Sequence, residues 1–202
     1  QQYSALLLLL FSIFMLSIIP LYRLFYYAGL PPGETVYSHM LFGKVIAEHG
    51  IPSLDPAIAF QRAYHFDLFD LLLGIFGQLI GMNIAALILP FFLGLLTIFF
   101  CYRLFLLILS PKQALLAGVF LVSSPVFITI FSEATNMTLL LPLLCTGFLF
   151  FFQKNWTKYL SFVFFGLVFF SGSIDLFLAL LLLLCFSKNI LVKNPTSPNR
   201  KY

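Results

Sequence analysis

Charged side chains are scarce in this chain. Of its 202 residues, 9% are Asp, Glu, Lys or Arg, whereas a soluble domain carries roughly a quarter. So few charges cannot cover a water-facing surface, and 61% of the residues are hydrophobic. This composition excludes a soluble enzyme, a nucleic-acid-binding module and a disordered chain. The sequence therefore predicts an integral membrane protein with no nucleic-acid partner.

Cysteine is also rare. The chain has three cysteines, Cys101, Cys145 and Cys185, and all of them lie in apolar runs. An odd number of thiols in such positions argues against a disulfide framework and favours a role as small packing residues. Their spacing does not match that of a metal site.

Long apolar runs make up most of the sequence. Since a membrane-spanning helix needs about 20 mostly apolar residues, we predict an all-α, polytopic transmembrane bundle over residues 1–193, followed by a polar tail, 194–202, that continues in a longer chain. About six spans are expected, at residues 3–22, 84–107, 113–132, 137–152, 159–174 and 176–192. Residues 66–82 predict a partly embedded helix, and residues 35–49 an interfacial helix that ends at Gly50.

The positions of the basic residues predict the orientation, because cytoplasmic loops collect Lys and Arg. If the N-terminus is cytoplasmic and residues 66–82 do not cross, the inner loops hold 8 of the 11 basic residues and the outer loops hold all 7 acids. We therefore expect a multi-pass cell-membrane protein. Its first extracytoplasmic loop is long, at about residues 28–70, and its second is short, at about 132–137.

The first outer loop carries the candidate chemistry. Glu34 follows Pro32-Gly33 close to the membrane surface, where a carboxylate can accept a proton or bind a metal. Arg62 is a candidate for phosphate binding because a guanidinium matches phosphate oxygens, and Lys44 is a weaker one. Asp67 and Asp70 lie three residues apart on one helix face, which favours a polar face at the interface over contact with a sugar or a metal.

Two stretches of this loop resemble a known family. Residues 33–39 read Gly-Glu-Thr-Val-Tyr-Ser-His, and residues 46–56 read Ile-Ala-Glu-His-Gly-Ile-Pro-Ser-Leu-Asp-Pro. They resemble the first outer loop of GT-C-fold membrane glycosyltransferases, in particular the oligosaccharyltransferase catalytic-subunit branch. Residues 114–118, with Ser124-Pro125 and Phe131-Ser132, resemble that family's third span and the start of its second outer loop, so the resemblance covers about residues 30–150.

The resemblance implies a GT-C-like fold and a transferase. Such an enzyme moves a sugar or glycan from a polyprenyl-phosphate carrier to an extracytoplasmic acceptor, for example a protein. Glu34 falls at or one residue from the family's first-loop acid, and Glu133 falls near its second-loop acidic motif. The resemblance implies that these acids act in catalysis and hold a divalent cation such as Mg²⁺ or Mn²⁺. His39 matches an aromatic-His position, and His39 or Asp55 would complete the cation's ligands.

The sequence also departs from the family pattern. Leu41 replaces the usual Arg, and the second outer loop has the single acid Glu133 instead of a paired Asp-x-Asp. A non-catalytic subunit of the same fold, which binds lipid or a partner protein, is therefore the alternative. A small transporter is disfavoured because the predicted spans lack acids and no internal repeat is found.

Overall fold

Every regular element in the described part of the chain is a helix. The structure is a computed structural model that describes residues 2–27, 34–55, 64, 66–153 and 156–171. A short 3-10 turn, Trp156–Tyr159, precedes the last of eight α-helices within these residues. The α-helices are α1 (Gln2–Tyr26), α2 (Glu34–His49), α3 (Leu68–Ile80), α4 (Met82–Ile108), α5 (Pro111–Ser123), α6 (Pro125–Ile130), α7 (Asn136–Phe151) and α8 (Leu160–Phe170). The predicted all-α class is confirmed.

Two of the described helices are long and apolar enough to cross a membrane, namely residues Tyr3–Tyr26 and Met82–Ile108. Large apolar side chains on them are exposed, including Phe14, Phe92 and Phe99, which favours a lipid environment over water. The other apolar helices of the described part are shorter, at 10–17 residues. Six spans therefore remain a prediction, and the sixth span and the polar tail lie outside the described residues.

Helices α1 and α4 pack in opposite directions. Leu16 of α1 packs closely against Gly94 of α4. A Cβ added to Gly94 would lie 2.8 Å from the Cδ1 atom of Leu16. Nearer its beginning, α1 lines a cavity together with Ile98 and Tyr102 in the second half of α4. The segment between the two helices therefore starts and ends at the same end of the pair. This is the arrangement expected if residues 66–82 enter the membrane without crossing it.

Two local predictions have different outcomes. The helix expected at 35–49 is confirmed, since α2 spans Glu34–His49 and is followed by Gly50 at φ 83°, a conformation that suits glycine. The span expected over residues 113–132 stays a prediction, but these residues do not form one continuous helix. Ser124 is extended, with ψ 126°, and separates α5 from α6, because a residue before proline is disfavoured in the helical region.

Candidate polar site between α2 and α3

Helices α2 and α3 run parallel and in register. His39 contacts Asp70, and Gln78 Nε2 donates a hydrogen bond of 2.7 Å to the carbonyl oxygen of Ala47, both with a separation of 31 residues. The glycines four residues after His39 and Asp70 also meet each other. Since residues four apart share a helix face, one stripe on each helix makes all three contacts.

The glycines set the distance between the two helices. A Cβ added to Gly43 would lie 3.0 Å from the backbone nitrogen of Gly74 and 3.1 Å from the carbonyl oxygen of Asp70. A Cβ added to Gly74 would overlap the carbonyl oxygen of Gly43. The two backbones are therefore in contact, and one turn earlier even short polar side chains can reach across the interface.

A hydrogen-bonded polar cluster occupies that turn. Asp70 lies at its centre: Nδ1 of His39 is 2.6 Å from Oδ1, and the hydroxyl of Tyr64 donates to Oδ2 at 2.6 Å. Because a carboxylate only accepts, the proton of the first bond is on Nδ1 of the imidazole. Asp67 caps α3, since its Oδ1 accepts the backbone N–H of Phe69 at 2.8 Å. We call His39, Tyr64, Asp67 and Asp70 the polar cluster.

Both acids of the cluster are buried, so the polar face at the membrane interface that the sequence favoured for them is wrong. Asp70 is 1% exposed and Asp67 is 8% exposed, while the side chain of His39 keeps 16%. Desolvation by burial raises the pKa of Asp67 to about 6 despite the opposing hydrogen bond from Phe69. Burial, with the bond to Asp70, raises the pKa of Tyr64, so its hydroxyl remains a donor.

The cluster has more acid than base among its described members. Two carboxylates face one imidazole, so protonation of His39 leaves one negative charge uncompensated when both acids are ionised. Buried charge without a partner is costly. The cluster therefore favours binding of a further proton or of a cation.

The donor set of the cluster fits a divalent cation. His39, Asp67 and Asp70 each offer one ligand atom, and these atoms lie within 4.8 Å of one another. Mixed imidazole and carboxylate ligands suit Mn²⁺ better than Mg²⁺, which prefers oxygen and retained water. Asp70 Oδ1 already lies 2.6 Å from Nδ1 of His39, so an ion shared by His39 and Asp70 would replace this hydrogen bond.

The other predicted site residues are distributed as follows. Lys44 is exposed on α2, and Asp55 is half-buried in the segment that follows this helix. Glu133 is half-buried in the turn between α6 and α7, and the core residues Phe131 and Ala134 hold this turn in place. Arg62 and the side chain of Glu34 lie outside the described part, so the convergence of Glu34 and Glu133 on one cation stays a prediction.

Sequence reasoning identified His39 but assigned Asp70 and Tyr64 no role beside it. One signal was present. A polar residue precedes a glycine by four positions in both helices, His39 before Gly43 and Asp70 before Gly74, which is the pattern of two matching helix faces. Tyr64 lies in the connection between the helices, where no periodicity indicates its contacts.

Comparison of the chain with protein-family models, with curated proteins and with solved structures gave no match.

Proposed function

We propose that this chain is a membrane glycosyltransferase of the GT-C type, which transfers a sugar or glycan from a polyprenyl-phosphate donor to an extracytoplasmic acceptor. The supporting observation is that His39, singled out by its resemblance to the family's first outer loop, lies in a buried cluster with Asp70 and Tyr64. Burial raises the pKa of Tyr64 and of Asp67 in this cluster, and ionisable groups with shifted pKa values concentrate at functional sites.

His39 is the residue proposed to handle the proton. The Asp70 carboxylate fixes the ring orientation and stabilises the protonated imidazole, as in other His-carboxylate pairs. The ring is partly exposed, so a hydroxyl or amide of the acceptor can approach it. Such a base removes the proton of the acceptor as the sugar is transferred, a contribution of about 10²–10⁴-fold in rate.

The donor's phosphate requires positive charge. A divalent cation would neutralise charge on the leaving phosphate. Glu34 and Glu133 are the ligands implied by the resemblance, and Asp67 is a further carboxylate close to His39, while His39 and Asp70 stay paired for proton transfer. Arg62 and Lys44 are proposed to bind the phosphate oxygens directly. In this proposal the N-terminus is cytoplasmic and the polar cluster faces the outer leaflet, in accord with the positions of the basic residues and the antiparallel α1 and α4.

The test is transfer by the full chain in vesicles that contain a set of polyprenyl-phosphate sugars and a membrane extract as the source of acceptor. Formation of free polyprenyl phosphate, followed by mass spectrometry, reports the reaction. We expect His39→Gln to lower the rate at least about 100-fold, the lower end of general-base catalysis. Glu34→Gln and Glu133→Gln test the acids of the two outer loops in the same assay.

The matched control is His49→Gln. His49 lies on the same helix, and its side chain is 76% exposed, so this variant should transfer at the wild-type rate. A folded His39→Gln variant with near-normal turnover would contradict the proposed role. Folding is checked independently by the melting temperature in detergent.

One observation favours the alternative of a non-catalytic GT-C-like subunit. Both oxygens of Asp70 are already engaged within the protein, by His39 and Tyr64, as they would be in a clamp that only fixes α2 against α3. In that case the chain binds lipid or a partner protein, no donor supports turnover, and His39→Gln lowers the melting temperature alone.

A further inference from the structure

A cavity of about 450 Å³ lies between the first half of α1 and the second half of α4. Its walls are mainly aliphatic and aromatic, with Ala5, Leu9 and Phe99 among them. The lining residues also include Tyr102 and Arg103, whose side chains carry a hydroxyl and a guanidinium. The cavity contacts the first half of α1. The polar cluster comes later in the chain, beyond the C-terminal end of α1.

The hydroxyl of Tyr102 has no hydrogen-bond partner among the described residues, although the residue is 5% exposed. A buried hydroxyl without a partner is uncommon and costs free energy. Tyr102 lines the cavity, but its hydroxyl oxygen is buried, so an acceptor oxygen in the cavity would supply the missing bond only after the Tyr102 side chain shifts toward the cavity.

Arg103 adds the charge expected for the same ligand. It is exposed beside Tyr102, and a guanidinium pairs well with the oxygens of a phosphate. Apolar walls with an exposed arginine among the lining residues match an acyl chain and the phosphate of its headgroup.

We propose that this cavity binds an anionic glycerophospholipid. One acyl chain lies between α1 and α4, the Tyr102 hydroxyl donates to an ester or phosphate oxygen, and Arg103 pairs with the phosphate. The site is separate from the polar cluster and does not depend on transferase activity. Its ligand is a lipid of the bilayer and not the sugar donor.

The test places a photo-reactive benzoylphenylalanine at position 5 of the full chain, in vesicles with equal amounts of phosphatidylglycerol and phosphatidylcholine. After irradiation, the intact mass identifies the adduct. We expect phosphatidylglycerol to dominate, and Arg103→Gln to reduce this preference by about threefold, as for one partly exposed ion pair. Tyr102→Phe should lower the yield of both lipid adducts.

The matched control carries the same probe at position 116. Leu116 is 56% exposed on α5 and should react with the two lipids in proportion to their amounts. An equal preference at positions 5 and 116 would overturn the proposal. So would an adduct with residues 173–202 or with a second copy, since either would show that protein fills the cavity. A probe at Leu6, another lining residue, checks that position 5 is not itself disturbed.

Discussion

Gly74→Ala is the most direct test of the contact on which the polar cluster depends. The new methyl group would overlap the carbonyl oxygen of Gly43, and backbone cannot move aside as a flexible side chain can. Carbon and oxygen atoms normally approach to about 3.3–3.6 Å, so α2 and α3 must separate by roughly 1 Å. Inserting a group into a packed interface of this kind costs about 1–3 kcal/mol.

The same separation breaks the polar pair. His39 Nδ1 and Asp70 Oδ1 are 2.6 Å apart, and about 1 Å more is beyond hydrogen-bond range. We therefore expect Gly74→Ala to lower the melting temperature in detergent and to weaken any function of His39. The ¹⁵N and ¹³C NMR signals of His39 in selectively labelled protein would report the loss of the bond to Asp70.

Two controls make this prediction specific. Gly43→Ala should be milder, because its added Cβ would lie 3.0 Å from its nearest neighbour, the backbone nitrogen of Gly74. Gly166→Ala should be harmless, because nothing lies within 4 Å of its added Cβ. In a helix, Ala is favoured over Gly by about 0.5–1 kcal/mol, so Gly166→Ala should even stabilise. Equal melting temperatures for Gly74→Ala and Gly166→Ala would refute the close contact of α2 and α3.

Three further predictions concern individual side chains. Tyr64→Phe leaves one oxygen of Asp70 without its donor and should destabilise the fold by about 1–3 kcal/mol in thermal or denaturant unfolding; an unchanged stability would contradict the bond. Burial raises the pKa of Asp67 from 3.8 to about 6, so the folded state favours the protonated carboxyl. The contribution of Asp67 to the free energy of unfolding is therefore present below pH 4 and is lost as the pH rises through 6. Asp67→Asn keeps the helix cap and should be more stable above pH 6 by about 2–3 kcal/mol, with the difference vanishing near pH 4; a pH-independent difference would refute this assignment. The sulfur atoms of Cys101 and Cys145 are 3.3 Å apart. In a variant with the third cysteine replaced by serine, oxidation by copper-phenanthroline should remove both thiol hydrogens and form one intramolecular disulfide, detected by mass. Failure to form it would mean that α4 and α7 do not pack as described.

The fold class and most helices of the described part could be predicted from the sequence, since uncharged runs of this length have few alternatives. The beginning of α2 and its end at Gly50 followed from local turn chemistry. The break within residues 113–132 was not predicted, because hydropathy does not register the backbone preference imposed by Pro125. The helix breaks at Ser124, although the sequence is apolar on both sides of the break.

The polar cluster was only partly predictable for a different reason. An acid near the membrane surface is normally solvated, and spacing alone placed Asp67 and Asp70 on a polar face. Their burial results from tertiary contact, because the small glycines let α2 cover the first turn of α3. His39 and Asp70 are 31 residues apart in the sequence. Their pairing depends on the connection between α2 and α3, and no local sequence pattern specifies the course of that connection.

The scarcity of charge bears on what the polar cluster does. The whole chain has 7 acids, and Asp67 and Asp70 are both buried in one place. A well-packed apolar group is often at least as stabilising as a buried ionic one, so stability alone is a weak reason for carboxylates here. Parallel α2 and α3 place these acids at the N-terminal end of α3, and Gly81, at φ 88°, joins its other end directly to α4. The cluster thus lies at the end of α3 away from its junction with α4, and its proposed role is to supply a proton or a cation to a substrate held in the bilayer.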